Sequence, residues 1–301
     1  MHSSGHRPQA VRERHEAWRA EVRRCLDEAI DRSGLPGPLQ EAIRYGSTAP
    51  QASRWRALLA IEVGAALGTD PRATVLAASA AEALHCATLS IDDLPSMDDA
   101  AERRGVPAMH RRFNEAMAIQ ASLWLLGISR TMMASAAATA GVPSPVAAGL
   151  ASLQQRTEDE LQIGQFMDML GSLGTMQVDG ERVARLKCGR LFALAAQGPA
   201  WLSPAGSPAV IAALDRFGEE IGLAYQIKDD LDDLAEDAAA STWAGGGERG
   251  RPTACAAQDS AGAHRAIDAS LERAARVLGP VAAAGVDVAP LVRMAGVIFG
   301  R

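Results

Sequence analysis

The chain has 301 residues and a mass of 31.5 kDa, enough to enclose a sizeable dry core. Thirty Lys and Arg against thirty-six Asp and Glu give a net charge of −6, and aromatics make up only 4%. That balance argues against nucleic-acid binding, which needs excess basic surface and stacking platforms. A hydrophobic share of 48% with mean hydropathy −0.02 argues against disorder.

The apolar residues recur at helical rather than alternating spacing. The charged N-terminal segment, 1–35, reads as an amphipathic helix on a bundle, and its charge speaks against a signal peptide. Helices rich in Ala, Leu and Met are expected over 56–67, 73–89, 116–140, 146–170, 183–202 and 209–234. No apolar run approaches the roughly 20 residues of a membrane span. No alternating strand with hairpin punctuation is visible. Pro and Gly clusters at 34–38, 141–145 and 203–208 mark the turns, and the triple glycine within 238–252 predicts a flexible loop. Without a repeat or a composition shift, the expectation is one all-α domain over 1–301, a single helical bundle. The cysteines Cys25, Cys86, Cys188 and Cys255 are scattered, so a disulfide framework is not expected and a reducing cytoplasm is.

Two acidic clusters stand out. Asp92-Asp93-Leu94-Pro95-Ser96-Met97-Asp98-Asp99 follows an apolar helix, and Pro95 should loosen it so that Asp98 swings towards Asp92. Asp229-Asp230-Leu231-Asp232-Asp233 puts Asp229 and Asp233 on one helix face. Either cluster alone could be a solvated helix end. Together, each beyond an interior-looking helix, they suit hard cations such as Mg²⁺. Glu102-Arg103-Arg104-Gly105 follows the first cluster, and guanidinium groups beside metal-binding carboxylates suit a diphosphate.

These residues resemble the trans-polyprenyl (isoprenyl) diphosphate synthases, of the short-chain farnesyl/geranylgeranyl type. The likeness runs from Arg54 to Arg251 in order and spacing. Asp92 to Asp98 is similar to the first aspartate-rich motif in its DDxxxxD form, and Asp229 to Asp233 to the second, DDxxD. Gly164-Gln165…Asp168 and Lys187-Cys188-Gly189 fall where the family has GQxxD and KTG. The resemblance implies an all-α helical bundle around a central cavity, of the isoprenoid synthase type, with the two motifs facing across its mouth. It implies Mg²⁺, about three ions, on Asp92, Asp93, Asp98, Asp229 and Asp233. Arg103, Lys187, Gln226 and Arg251 would hold an allylic diphosphate, with backbone carbonyls near Lys187 and the Gln226 side chain facing the allylic cation. Arg56, His85 and Arg104 would hold isopentenyl diphosphate. The implied reaction is ionisation of the allylic substrate followed by attack of the isopentenyl double bond and loss of a proton. A homodimer is also implied.

The departures bear on the isopentenyl side. Ser53 stands where the family has a lysine, Cys188 replaces a threonine, and 121–126 lacks the family's aspartate. No lysine follows Lys228, leaving Arg249 and Arg251 as stand-ins. Three readings stay open: a chain-elongating synthase, a class I terpene cyclase that ionises a prenyl diphosphate without isopentenyl diphosphate, and a non-catalytic partner subunit. Small Ala87 and Thr88 before Asp92 lean the product towards C20 over C15, unless Trp124 closes the floor.

Overall fold

The computed structural model describes residues 6–175, 177–239 and 260–300. It is 79% helical with almost no sheet, as the periodicity predicts. In chain order come α1 (His6–Asp31), α2 (Gly37–Ser47), α3 (Trp55–Ala66), α4 (Pro71–Asp92), a small hairpin, α5 (Met109–Arg112), α6 (Glu115–Ala140) and α7 (Ser144–Ser172). Then follow α8 (Gly180–Ala184), a π turn (Arg185–Gly189), α9 (Arg190–Leu202), α10 (Pro208–Ala239), α11 (Ser260–Val277), α12 (Gly279–Ala283) and α13 (Ala289–Ile298).

Helix α4 is the axis of the bundle. Asp70 caps it by accepting a hydrogen bond from the Ala73 N–H at 2.8 Å, and Pro71 supplies the fixed φ of a first helical residue. It is 22 residues long and an 18-residue stretch of it has a mean hydropathy of 1.3, so by length and composition it could cross a membrane, against the expectation that no segment reaches that size. Two thirds of that stretch is instead buried, with α1, α3, α6 and α9 packed around it. Helix α6 runs antiparallel to α4 in close contact, because alanines line both faces: Ala77, Ala80, Ala81 and Ala87 opposite Ala118, Ala121 and Ala136. The Ser122 and Ser129 hydroxyls donate across the seam to the carbonyls of Ala87 (2.9 Å) and Ala80 (2.7 Å), which fixes its register.

The second close approach joins α9 and α10. A Cβ on Gly218 would lie 2.5 Å from the Ala193 Cα and the Phe192 carbonyl, and one on Gly222 would lie 2.5 Å from the Gly189 Cα. Only glycine lets α10 come this near, and the π turn is thereby clamped against it.

Three details differ from the sequence reading. The expected helix over 183–202 is interrupted by the π turn, which carries Lys187 and Cys188. A two-strand hairpin, β1 (Glu102–Arg103) and β2 (Val106–Pro107), turns through Arg104 and Gly105, both at positive φ. Its strands are two residues long, too short to show alternation, although the Gly105 turn was a local signal for it. Helices α2, α11, α12 and α13 lie where no helix was assigned. Of the loop expected at 238–252, Ala238 and Ala239 still belong to α10 and the rest lies outside the described residues.

Candidate active site

The first aspartate cluster forms where α4 ends. Asp92 is its last residue, and the chain folds back so that the Asp98 N–H donates to the Asp92 carbonyl at 2.9 Å. Asp98 therefore returns beside Asp92, as Pro95 suggested. Burial raises the Asp92 carboxyl to about 6, with Asp98 and Asp93 adding to it and Lys187 and Arg103 opposing. Asp93 is buried and occupied: Arg103 Nε donates to Oδ1 at 3.0 Å, and Nη2 lies closer still. The hairpin thus delivers Arg103 to Asp93, while the left-handed Arg104 at its tip acts on the Cys86 thiol against the larger upward effect of burial.

The π turn brings the next group. Lys187 Nζ pairs with the buried Asp168 Oδ2 on α7. Gly164, one turn earlier, makes room, because a Cβ there would meet the Leu186 side chain at 2.7 Å. Burial works against the Lys187 charge, but Asp92, Asp168 and Asp98 outweigh it and its pKa is raised. Residues of the family-like GQxxD, KTG and first aspartate motifs are therefore one electrostatic unit.

The second cluster lies along α10. Gln226 Nε2 donates to the buried Asp230 Oδ1 at 2.9 Å, and Lys228 pairs with Asp232. The Asp229 charge acts on the Cys188 thiol and the Tyr225 hydroxyl, both pushed up chiefly by burial. Lys187 and Cys188, adjacent in the π turn, thus lie one towards each aspartate cluster. The Asp233 side chain and Arg251 lie outside the described residues. Among the described residues, no three His, Cys, Asp or Glu side chains stand close enough to hold a metal ion by themselves.

On the other side, Arg54 and Arg56 have opposite fates. Arg54 is sealed in: Nη1 donates to Glu82 at 2.9 Å and Nη2 to the Ser47 carbonyl at 2.9 Å. Arg56 is 7% exposed, yet its contacts are neutral: His85 Nε2 at 3.1 Å, Cys188 Sγ at 3.3 Å, and the rings of Phe192 and Tyr225 at 4.6 and 5.6 Å. Burial holds the His85 pKa well below its usual value, with Arg56, Arg104, Arg103 and Arg54 adding to the effect, so its ring is neutral. Arg56 Nε and His85 Nδ1 are buried without a hydrogen-bond partner among the described residues. A buried guanidinium whose contacts among the described residues are all uncharged is costly unless an anion completes it.

The sequence reading named Arg56, His85, Arg103, Arg104, Lys187 and Gln226, and the structure gathers them around the two aspartate clusters. It missed Glu82 and the aromatic pair behind Arg56. It also missed Arg19 of α1, whose Nε donates to the Ser53 carbonyl at 2.9 Å. An acidic residue inside the alanine-rich 77–83 stretch was the available signal for Glu82.

Residues 37–271 match the family described as polyprenyl synthetase, a span that holds every motif above. The chain belongs to the polyprenyl synthetase family. It is 33% identical to the farnesyl diphosphate synthase of Geobacillus stearothermophilus over 71% of this chain and 72% of that protein. It is 34% identical to the geranylgeranyl diphosphate synthase of Cereibacter sphaeroides over 74% and 75% of the two chains. The crystal structure of a geranyltranstransferase from Thermotoga maritima superposes with a TM-score of 0.77 at 26% identity, covering 95% of this chain and 97% of that one. Its helical content and its structural neighbours place the chain in the isoprenoid-synthase type of fold.

Proposed function

We propose that this chain is a short-chain prenyltransferase that condenses isopentenyl diphosphate with an allylic diphosphate, giving a C15–C20 product. The observation that carries this is the pairing of opposite sites about the π turn. One is lined by the clustered carboxylates, with Asp92 raised by burial, and the other holds a buried guanidinium whose contacts are uncharged. A terpene cyclase needs only the first.

The carboxylates fit Mg²⁺. They are hard oxygen donors, and a carboxyl raised by burial, as Asp92 is, suits a neighbouring cation. Asp92, Asp98, Asp229 and Asp233 would hold it, about three ions by family likeness, with diphosphate oxygens completing each shell. Asp93, already paired with Arg103, acts by aiming that guanidinium. When bound, the metal neutralises charge on the leaving diphosphate. Arg103 and Lys187 take its outer oxygens, joined by Arg251. Gln226 and the Lys187 carbonyl face the cation left on the allylic carbon. Arg56 and Arg104 hold the second diphosphate, with His85 as a neutral hydrogen-bonding partner. The isopentenyl double bond then attacks, and the proton it sheds passes to the released diphosphate. The apolar helices around the site keep out water, which would quench the cation to an alcohol.

Ala87, small and buried at the α6 seam, favours C20 over C15. A homodimer is supported by exposed apolar residues along α6 and α7, namely Ile119, Leu123, Ile163 and Phe166. A cytoplasmic setting accords with Cys25, Cys86 and Cys188 as free thiols.

The test is product analysis with Mg²⁺ and dimethylallyl, geranyl or farnesyl diphosphate, each with and without isopentenyl diphosphate. A longer prenyl diphosphate formed only when isopentenyl diphosphate is present is the expected outcome. A hydrocarbon or alcohol formed equally well without it would make the chain a cyclase.

A further inference from the structure

Arg56 needs to be held firmly without being neutralised. An acidic partner would compete with any incoming anion, and a guanidinium on a free side chain would spend much of its time elsewhere. The chain solves this with uncharged neighbours drawn from four places: His85 on α4, Cys188 on the π turn, Phe192 on α9 and Tyr225 on α10. The two rings take the guanidinium face. His85 and Cys188 take its edge, one on each terminal nitrogen.

We infer that Cys188 is a positioning residue for isopentenyl diphosphate: its sulfur fixes Arg56 Nη2, and through the adjoining Lys187 it ties the anion site to the aspartate-lined half. This rests on the prenyltransferase reading above. Three observations support it. The sulfur lies 3.3 Å from Nη2 across 132 residues of chain, so the contact is made by the fold and by no local accident. The Cys188 backbone lies close against α10, where a Cβ on Gly222 would come within 2.8 Å of its carbonyl and one on Gly189 within 3.3 Å of the Glu219 side chain. Burial, with Asp229 adding to it, keeps the thiol un-ionised at neutral pH, so it accepts a hydrogen bond from Arg56 without cancelling the charge. Cys188 itself touches no substrate in this reading.

The experiment compares Cys188→Ala, Cys188→Val and Cys188→Ser in steady-state kinetics on the full chain. Alanine and valine lack the acceptor, and valine also keeps most of the volume. Both are expected to raise KM for isopentenyl diphosphate about fivefold, with kcat and the allylic KM within twofold of wild type, while serine stays near wild type. Calorimetric titration of inorganic pyrophosphate into each protein without Mg²⁺ should show the same ranking. If alanine and valine leave the isopentenyl KM unchanged, or raise both KM values alike as a generally loosened site would, the assignment is overturned. Loss of the alanine variant to misfolding leaves the valine and serine pair to decide. A wild type that makes no isopentenyl-dependent product defeats the prenyltransferase reading itself. An active wild type indifferent to valine defeats only the role of Cys188.

Discussion

Asp92 carries a charge that the metal-free fold resists. Its folded pKa of about 6 lies above the ordinary 3.8, so the folded chain holds the proton more tightly than the unfolded chain. The resulting penalty is absent at low pH, grows as pH rises from about 4 to 6, and is complete above that. Asp92→Asn should therefore raise the stability of metal-free protein at pH 7.5 by roughly 1–3 kcal/mol, with the gap closing towards pH 4.5. Thermal melts at both pH values measure it, and a gap that does not change with pH would refute the assignment. Mg²⁺ with inorganic pyrophosphate should stabilise wild type and lose most of that effect in the variant. The two arginines at the start of α3 invite a second comparison. Arg54→Met leaves Glu82 buried without its counter-ion and should cost about 3–5 kcal/mol. Arg56→Met removes a buried charge that has no ion pair among the described residues, so its melting point should hold or rise while KM for isopentenyl diphosphate climbs tenfold or more. Equal losses of stability in the two variants would contradict this division.

At the scale of elements, the π turn is set by glycines on its neighbours. A Cβ at 222 would strike the Gly189 Cα and the Cys188 carbonyl, both backbone, so Gly222→Ala must push α10 off the turn. Destabilisation of about 1–3 kcal/mol is expected in denaturant melts, with turnover falling further than stability because Lys187 and Cys188 move together. Gly279→Ala, with nothing within 4 Å of its Cβ, is the matched control. Much of this scale was legible in sequence. The bounds of α3, α4, α6 and α7 fell within about two or three residues of their apolar periodicity, and Pro95 foretold the return of Asp98 to Asp92. The π turn was not legible, because Arg185-Leu186-Lys187-Cys188-Gly189 has the composition of ordinary helix and its wide winding is imposed by packing. Nor were the partners of Arg56, which come from four elements remote in the chain and answer to no local pattern. The aspartate clusters could be read because their chemistry is written in adjacent residues.

For the whole molecule, the uncovered apolar residues are the main unfinished business of the monomer. Leu123 and Phe166 are each 56% exposed, with Ile119 and Ile163 beside them at helical spacing on α6 and α7. If two copies bury this stripe, Leu123→Glu with Phe166→Glu should convert a dimer to a monomer by sedimentation analysis, and a wild type that sediments as a monomer would remove the premise. The rod made of α8, the π turn and α9 has a different bearing on the whole chain. A π turn is a helix holding one residue more than its regular winding needs, so loss of one residue there lets the rod close as plain α-helix with both flanks still in register. The buried side chains of α9 would keep their seats while Lys187 left Asp168. Deletion of Leu186 should thus give a protein with full helical circular dichroism and no turnover. A gene copy could fall silent through one lost codon and still encode a sound fold, leaving a catalytically mute lineage one insertion away from regaining its chemistry.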